Sequence, residues 1–326
     1  MTANDLSITR KDLVPCSLLV ILPLFLFRDI LFGGHTLFGA DFVQIHLHTK
    51  QFLYTEMANH GSIPSWNPFI FSGIPFWAHF ESTVFYPLGV LFWIMPPEKA
   101  YGYTMFMHLV LAGLFMYLLA RSFRFSRPGA FVAAVIYTFN GFILATLYDG
   151  QLYRIQTYTW IPLIIYFLNR ALTLQTRLFN ATMAGMIWGI QILAGAPQDA
   201  FYTLLGAMIF LGCDLLQTLK DLHRSLSTLA IALLLFAVGL GVAAIQLVPA
   251  SEFVRLSVRA ALNSYDLVTL GSYPPEGVIT ALLPHFFGDY GKETFWVSGL
   301  PWSIPLYNLY VGIPSIMLLF FISYRH

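Results

Sequence analysis

In the stretch GADFVQIHLHTKQFL, Gly39 to Leu53, the carboxylate of Asp41 is followed by two imidazoles, His46 and His48. An aspartate can act as a general base or share in holding a hard cation, and paired histidines can hold zinc. A helical zinc pair needs ligands about three or four residues apart on one face. His46 and His48 are two apart, so no protein metal site is assigned, and a divalent cation held in part by Asp41 is the one cofactor left open. If the stretch is helical, Asp41, Gln44, His48 and Gln51 form a polar stripe, and Phe42, Ile45, Phe52 and Leu53 cover much of the rest. Such a helix lies on a membrane surface, and Asp41 could equally be its cap.

Further candidates follow along the chain. GSIPSWNPFIFSGIPFWAHFESTVFYP, Gly61 to Pro87, is a proline-fixed loop whose Trp66 and Trp77 offer flat faces to a sugar ring or sit in an interfacial aromatic belt. Its ionisable groups are His79 and Glu81. YDGQLYRIQ sets Asp149 and Arg154 in a tight turn, as a site pair or a local ion pair, and GAPQDAFY makes a second turn in which Asp199 can cap a helix. Arg255 and Arg259, four apart, share a helix face and suit one anionic group such as a lipid phosphate, with a Glu252–Arg255 surface pair as the plainer alternative. Gln44, Asn67, Trp66, Trp77, Glu81, Asp149, Arg154, Gln198, Arg255 and Arg259 make up the candidate substrate-binding set around Asp41. No P-loop, GxSxG, HExxH or CxxC arrangement occurs in these loops.

These residues must be positioned by membrane helices. The chain is 57% hydrophobic and 10% charged, with a mean hydropathy of +0.69, which marks an all-α integral membrane protein. A net charge of +1 without a dense Lys/Arg cluster excludes nucleic acid as a partner. Cys16 and Cys213 both fall in apolar runs without partners nearby. Windows of about 20 apolar residues predict eight spans, at 13–32, 101–120, 129–147, 157–173, 179–195, 201–218, 226–249 and 306–323, in a single polytopic domain over 1–326. The first is read as a retained helix rather than a cleaved signal, because no small-residue cleavage site follows it. The run 83–96 is too short and proline-marked to span and is expected to be interfacial or re-entrant.

Arg10, Lys11, Arg121, Arg124, Arg127, Arg170, Arg177, Lys220, Arg224 and Arg325 then fall on one side of the membrane. By the positive-inside rule that side is cytoplasmic, and both termini with it. The long loops 33–100 and 251–305 face outward with most of the carboxylates. Within the spans the main ionisable residues are His108 and Asp214, and such groups often mark transport paths.

The ordered motifs DFVQ, GSIPSWNPFIFSGIPF, FYP, WIPLIIYFLNRAL, AGAPQDAFY, QLVPASEFVRLSVRAALNSYD and YPPEGVITALLPHFFG resemble the YfhO-like family of bacterial multi-pass membrane proteins. The resemblance runs from about residue 30 to the end of the chain. It implies a GT-C-like helical core and a glycosyltransferase that uses a polyprenyl-phosphate-linked sugar on the external face of the cell membrane, with a cell-envelope glycan or polymer as acceptor. The acidic residue of the first external loop in such enzymes corresponds to Asp41, as base or metal holder. The pattern departs at Gln151 and Ala196, where histidine is common. Family members are usually longer, so the chain is expected to be a minimal member or the N-terminal part of a longer architecture. The rival expectation is a transporter or lipid flippase without enzymatic activity, with membrane lipid as its partner.

Overall fold

The computed structural model describes residues 9–257 and 275–288 together with residues 264, 265, 269, 294, 310, 312 and 315. Arg259 and nearly all of the predicted span at 306–323 lie outside the described residues. The helices are α1 (Leu13–Leu31), α2 (Leu47–His60), α3 (Leu91–Ile94), α4 (Pro97–Ser122), α5 (Arg127–Thr138), α6 (Gly141–Asp149), α7 (Leu152–Tyr158), α8 (Ile161–Thr173), α9 (Arg177–Leu193), α10 (Pro197–Thr218) and α11 (Leu222–Leu256). Among the described residues the only sheet is a hairpin of β1 (Trp66–Asn67) and β2 (Ile74–Pro75), paired antiparallel.

Five stretches are long and apolar enough to cross a membrane: Arg10–Leu31, Pro97–Ser122, Arg127–Asp149, Pro197–Thr218 and Leu222–Leu256. The protein is an all-α membrane protein, as its composition requires. The boundaries differ from the apolar windows in physically readable ways. The predicted span 129–147 is broken in two, because Asn140 Oδ1 accepts from Ile143 N at 3.0 Å and starts α6 afresh. The predicted span 157–173 is likewise divided between α7 and α8, with Pro162 in the first turn of α8. Neither α8, with 13 residues, nor α9, with 17, is among the five long stretches. The segment 83–96 folds as expected into short pieces, a 3₁₀ turn at Pro87–Val90 followed by α3.

Helix α4 is the centre of one packed unit, with Tyr101, Met105 and Leu109 buried against Phe27, Phe42 and Phe92. A second unit packs α9 against α11 through the glycines of GMIWG. A Cβ on Gly189 would fall 2.6 Å from Val242 Cβ, and one on Gly185 would fall 2.9 Å from Val238 Cβ. This is the small-xxx-small device by which membrane helices approach closely. A buried polar knot joins three elements. Tyr86 Oη lies 2.7 Å from His108 Nε2 and accepts from Trp160 Nε1 at 2.9 Å, while His108 Nδ1 lies 2.7 Å from Thr104 O.

Antiparallel packing sends the basic helix ends to one pole. There Asp12 lies 3.4 Å from Arg121 Nε and 3.2 Å from Arg127 Nε, and accepts from Tyr117 Oη at 2.6 Å. Asn169 donates to Ser122 Oγ, Arg177 to Ser227 Oγ and Arg224 to Asp214, closing the same pole. The opposite ends of these helices carry the candidate site.

Candidate functional site

Backbone contact between two glycines creates the site. Gly150 ends α6 in the left-handed region, φ 88°, and a Cβ there would meet Gly39 Cα and Phe42 N, each at 2.8 Å. The segment bearing Asp41 therefore rests directly on the turn bearing Asp149. Phe42 fixes the next position by stacking on Tyr101, ring centroids 3.8 Å apart and 7° from parallel. A third glycine brings in the second turn. Gly195 has φ 104°, and a Cβ on it would fall 2.7 Å from Thr83 Cγ2 and 2.9 Å from Tyr153 Cβ.

The result is a group of acidic residues around one arginine. Gln151 Nε2 donates to Asp149 Oδ2 at 2.8 Å, and the same side chain also favours the charged form of Asp41. Arg154 Nε lies 3.7 Å from Asp199 Oδ2, and its charge also acts on Asp41. Burial pushes the Asp41 carboxyl up, the neighbouring Asp149 charge adds to this, and Gln151 and Arg154 oppose it. The Tyr101 hydroxyl, buried without a hydrogen-bond partner among the described residues, feels both carboxylates.

Behind the carboxylates lies a layer of basic groups. His46 Nδ1 is 2.9 Å from Tyr153 Oη, which ties the first loop to α7. Lys50 is fully buried, and its Nζ donates to Ser82 O at 2.6 Å, Glu81 O at 3.2 Å and Thr83 Oγ1 at 2.5 Å. Burial lowers Lys50 to about 7, against which the Glu81 charge works. Burial followed by the Lys50 charge lowers His46 to about 3 and His79 to about 4, so both imidazoles are neutral. His79 Nε2 lies 3.7 Å from Glu81 Oε2.

The structure thus brings Asp41, Asp149 and Arg154 together, and adds Gln151, Asp199 and Tyr101. The polar stripe is largely as expected, with Gln44, His48 and Gln51 exposed and Phe42 and Leu53 buried, although Ile45 is also exposed. Residues Phe42–His46 form a π-helical turn, whose extra residue per turn shifts the register and carries His46 inward. Trp66 and Trp77 are each about half exposed, the first lying over Gly73 and the second edge-on to Phe85. Asn67 is buried, and its Oδ1 accepts from Phe69 N at 3.0 Å, holding the hairpin turn. Gln198 donates to Tyr202 Oη on its own helix, and Arg255 is exposed in the last turn of α11.

Lys50 and Tyr153 were not singled out from the sequence, and His46 was weighed there only as half of a zinc pair with His48. One signal was available for the lysine, which interrupts the apolar stripe Leu47, Leu53 and Met57 of α2. Among the described residues no group of three or more His, Cys, Asp or Glu is placed to hold a metal ion. Asp41 and Asp149 alone, with an amide nitrogen turned toward them, fall short of the six to eight oxygens that calcium takes or the octahedral set that magnesium takes.

The chain matches no family model, no curated protein and no solved structure.

Proposed function

We propose that the carboxylate group transfers a sugar from a polyprenyl-phosphate donor to a cell-envelope acceptor on the outer face of the membrane, as in GT-C-type glycosyltransferases. The observation that carries the proposal is the convergence of Asp41, from the first loop, on the turn that holds Asp149, Gln151 and Arg154, at the pole opposite the basic helix ends. Asp41 takes the proton of the acceptor hydroxyl as its oxygen attacks the sugar carbon, and the bond to the polyprenyl phosphate breaks with its electron pair. A carboxylate whose proton affinity is raised by burial and by Asp149 is a stronger base than an aspartate in water. Arg154, the cation that acts on Asp41, is placed to balance the charge developing on the leaving phosphate, and Arg255 and Arg259 are assigned to the donor further along the outer loop. No step is routed through a metal. The proposal also draws on the resemblance to the YfhO-like family, in which the Asp of the first external loop corresponds to Asp41.

The transport alternative relied on His108 and Asp214. Each now has a local structural role, His108 in the Tyr86 knot and Asp214 paired with Arg224 and Thr228. The experiment is incubation of the purified chain with polyprenyl-phosphate sugars. Release or transfer of sugar that is abolished in a folded Asp41→Asn variant supports the proposal. Undiminished turnover in that variant, or lipid translocation without turnover in the wild type, overturns it.

A further inference from the structure

A second polar cleft lies at the basic pole, away from the carboxylate group. It is a shallow cleft, open to solvent, between α8, α9, α10 and α11. Its charged lining consists of Arg177, at the first position of α9, Arg224, in the first turn of α11, and Asp214 of α10. Both oxygens of Asp214 are engaged, Oδ1 by Arg224 Nη2 at 3.1 Å and Oδ2 by Thr228 Oγ1 at 2.8 Å. Arg177 has a different partner, the hydroxyl of Ser227, to which its Nη1 donates at 3.0 Å.

The lining therefore holds two guanidinium groups against one carboxylate, and the excess positive charge is centred on Arg177. Helices α9 and α11 both begin here; the first amides of α9 have no side-chain cap and add positive potential beside Arg177, whereas at the start of α11 Asp221 Oδ1 accepts from Arg224 N at 3.1 Å. A tetrahedral anion is the ligand these groups fit, since guanidinium N–H groups and hydroxyls donate to several of its oxygens at once. The surroundings favour a lipid source. On α11, Leu222, Leu226, Leu229 and Leu233 are all exposed and follow helical spacing on a stretch long and apolar enough to cross a membrane, leading away from the turn that holds Arg224. An acyl chain lying along this stripe would place its headgroup phosphate at the cleft.

We infer that this cleft binds the phosphate of an anionic membrane lipid headgroup, with Arg177 as the principal contact, independently of the site at the other pole. Basic clefts between membrane helices are suited to this recognition. The test uses the full chain in non-ionic detergent, with thermal unfolding followed as phosphatidylglycerol, phosphatidylcholine or inorganic phosphate is added. Phosphatidylglycerol raises the melting temperature saturably, and the other two do not. In Arg177→Gln its apparent affinity falls by about tenfold, as expected for loss of a charge-assisted contact. Ser227→Ala, which keeps the charge and removes only the hydroxyl, loses less. Equal phosphatidylglycerol affinity in wild type and Arg177→Gln overturns the inference, as does equal stabilisation by phosphatidylcholine. Stabilisation by inorganic phosphate that matches the lipid and is lost in Arg177→Gln overturns the lipid source and retains the phosphate chemistry. If Arg177→Gln does not fold, Arg177→Met, which keeps the apolar stem and removes the charge, is compared with wild type, and an unchanged affinity there overturns the role of Arg177.

Discussion

Replacing Lys50 with methionine keeps the length of the side chain and removes a charge from the interior. In the folded protein the Lys50 ammonium is held near 7 against an ordinary value of 10.5, because burial strips its water and backbone carbonyls replace it only in part. That gap of about 3.5 pH units, at about 1.36 kcal/mol each, means that carrying the proton in the folded state costs on the order of 5 kcal/mol. The sign follows from which state binds the proton more tightly. Between about 7 and 10.5 the unfolded chain keeps the Lys50 proton and the folded chain has released it. Stability therefore rises with pH across that window, is complete above the unfolded value, and carries the full cost below about 7. The assay is tryptophan fluorescence during thermal unfolding in detergent, run at a series of pH values through the window. Wild type gains stability on alkalinisation relative to Lys50→Met, by up to about 1.4 kcal/mol per pH unit. The variant also leaves the Glu81 and Ser82 carbonyls without their lysine donor, which lowers its stability by a similar amount at every pH and does not affect the slope. Parallel pH profiles for the two proteins would refute the assignment of Lys50 as a strained buried cation.

Other perturbations test the site and the core. Asp149→Asn removes the like charge beside Asp41, so the acid limb of the pH–activity profile moves to lower pH, with wild type titrating above the ordinary carboxylate value of about 4. An unmoved limb would remove Asp149 from the account. Gly150→Ala sets a Cβ against Gly39 in a left-handed backbone and is expected to lower stability by at least about 2 kcal/mol and to abolish transfer. Gly61→Ala, also left-handed but with nothing within 4 Å, costs about 1 kcal/mol and leaves transfer intact. Tyr86→Phe strands His108 Nε2 and Trp160 Nε1 in the core, and chemical denaturation should show a loss of about 2 to 4 kcal/mol.

Much of the architecture was legible because the bilayer imposes it. An apolar fraction of 57% and long apolar runs leave helices as the means of satisfying the backbone, so the membrane class and most helix positions follow from composition and length. Helix breaks were less legible. Asn140 reads as one polar residue in an apolar window, yet its side chain ends one helix and starts the next. The approach of α9 to α11 was present in GMIWG as a small-residue spacing, although which helix it would meet was not.

The site shows the same division. Asp41, Asp149 and Arg154 were candidates from residue type and position in outer loops, but each also suited a cap or a local pair. Only the folded chain brings them together, because the contact depends on Gly39 and Gly150, far apart in sequence, lacking side chains at one point in space. The burial of Lys50 and His46 was hidden for a related reason. A period of 3.6 assigns polar residues to the water face, and the π-helical turn at Phe42–His46 changes that register by one residue, a shift set by packing against Tyr101 and Tyr153. Sequence by itself determined the solvent, the helices and the chemical inventory, since these depend on local composition. Tertiary structure decided which carboxylates share a field and which amine loses its water, since electrostatic coupling and desolvation are properties of distance and burial.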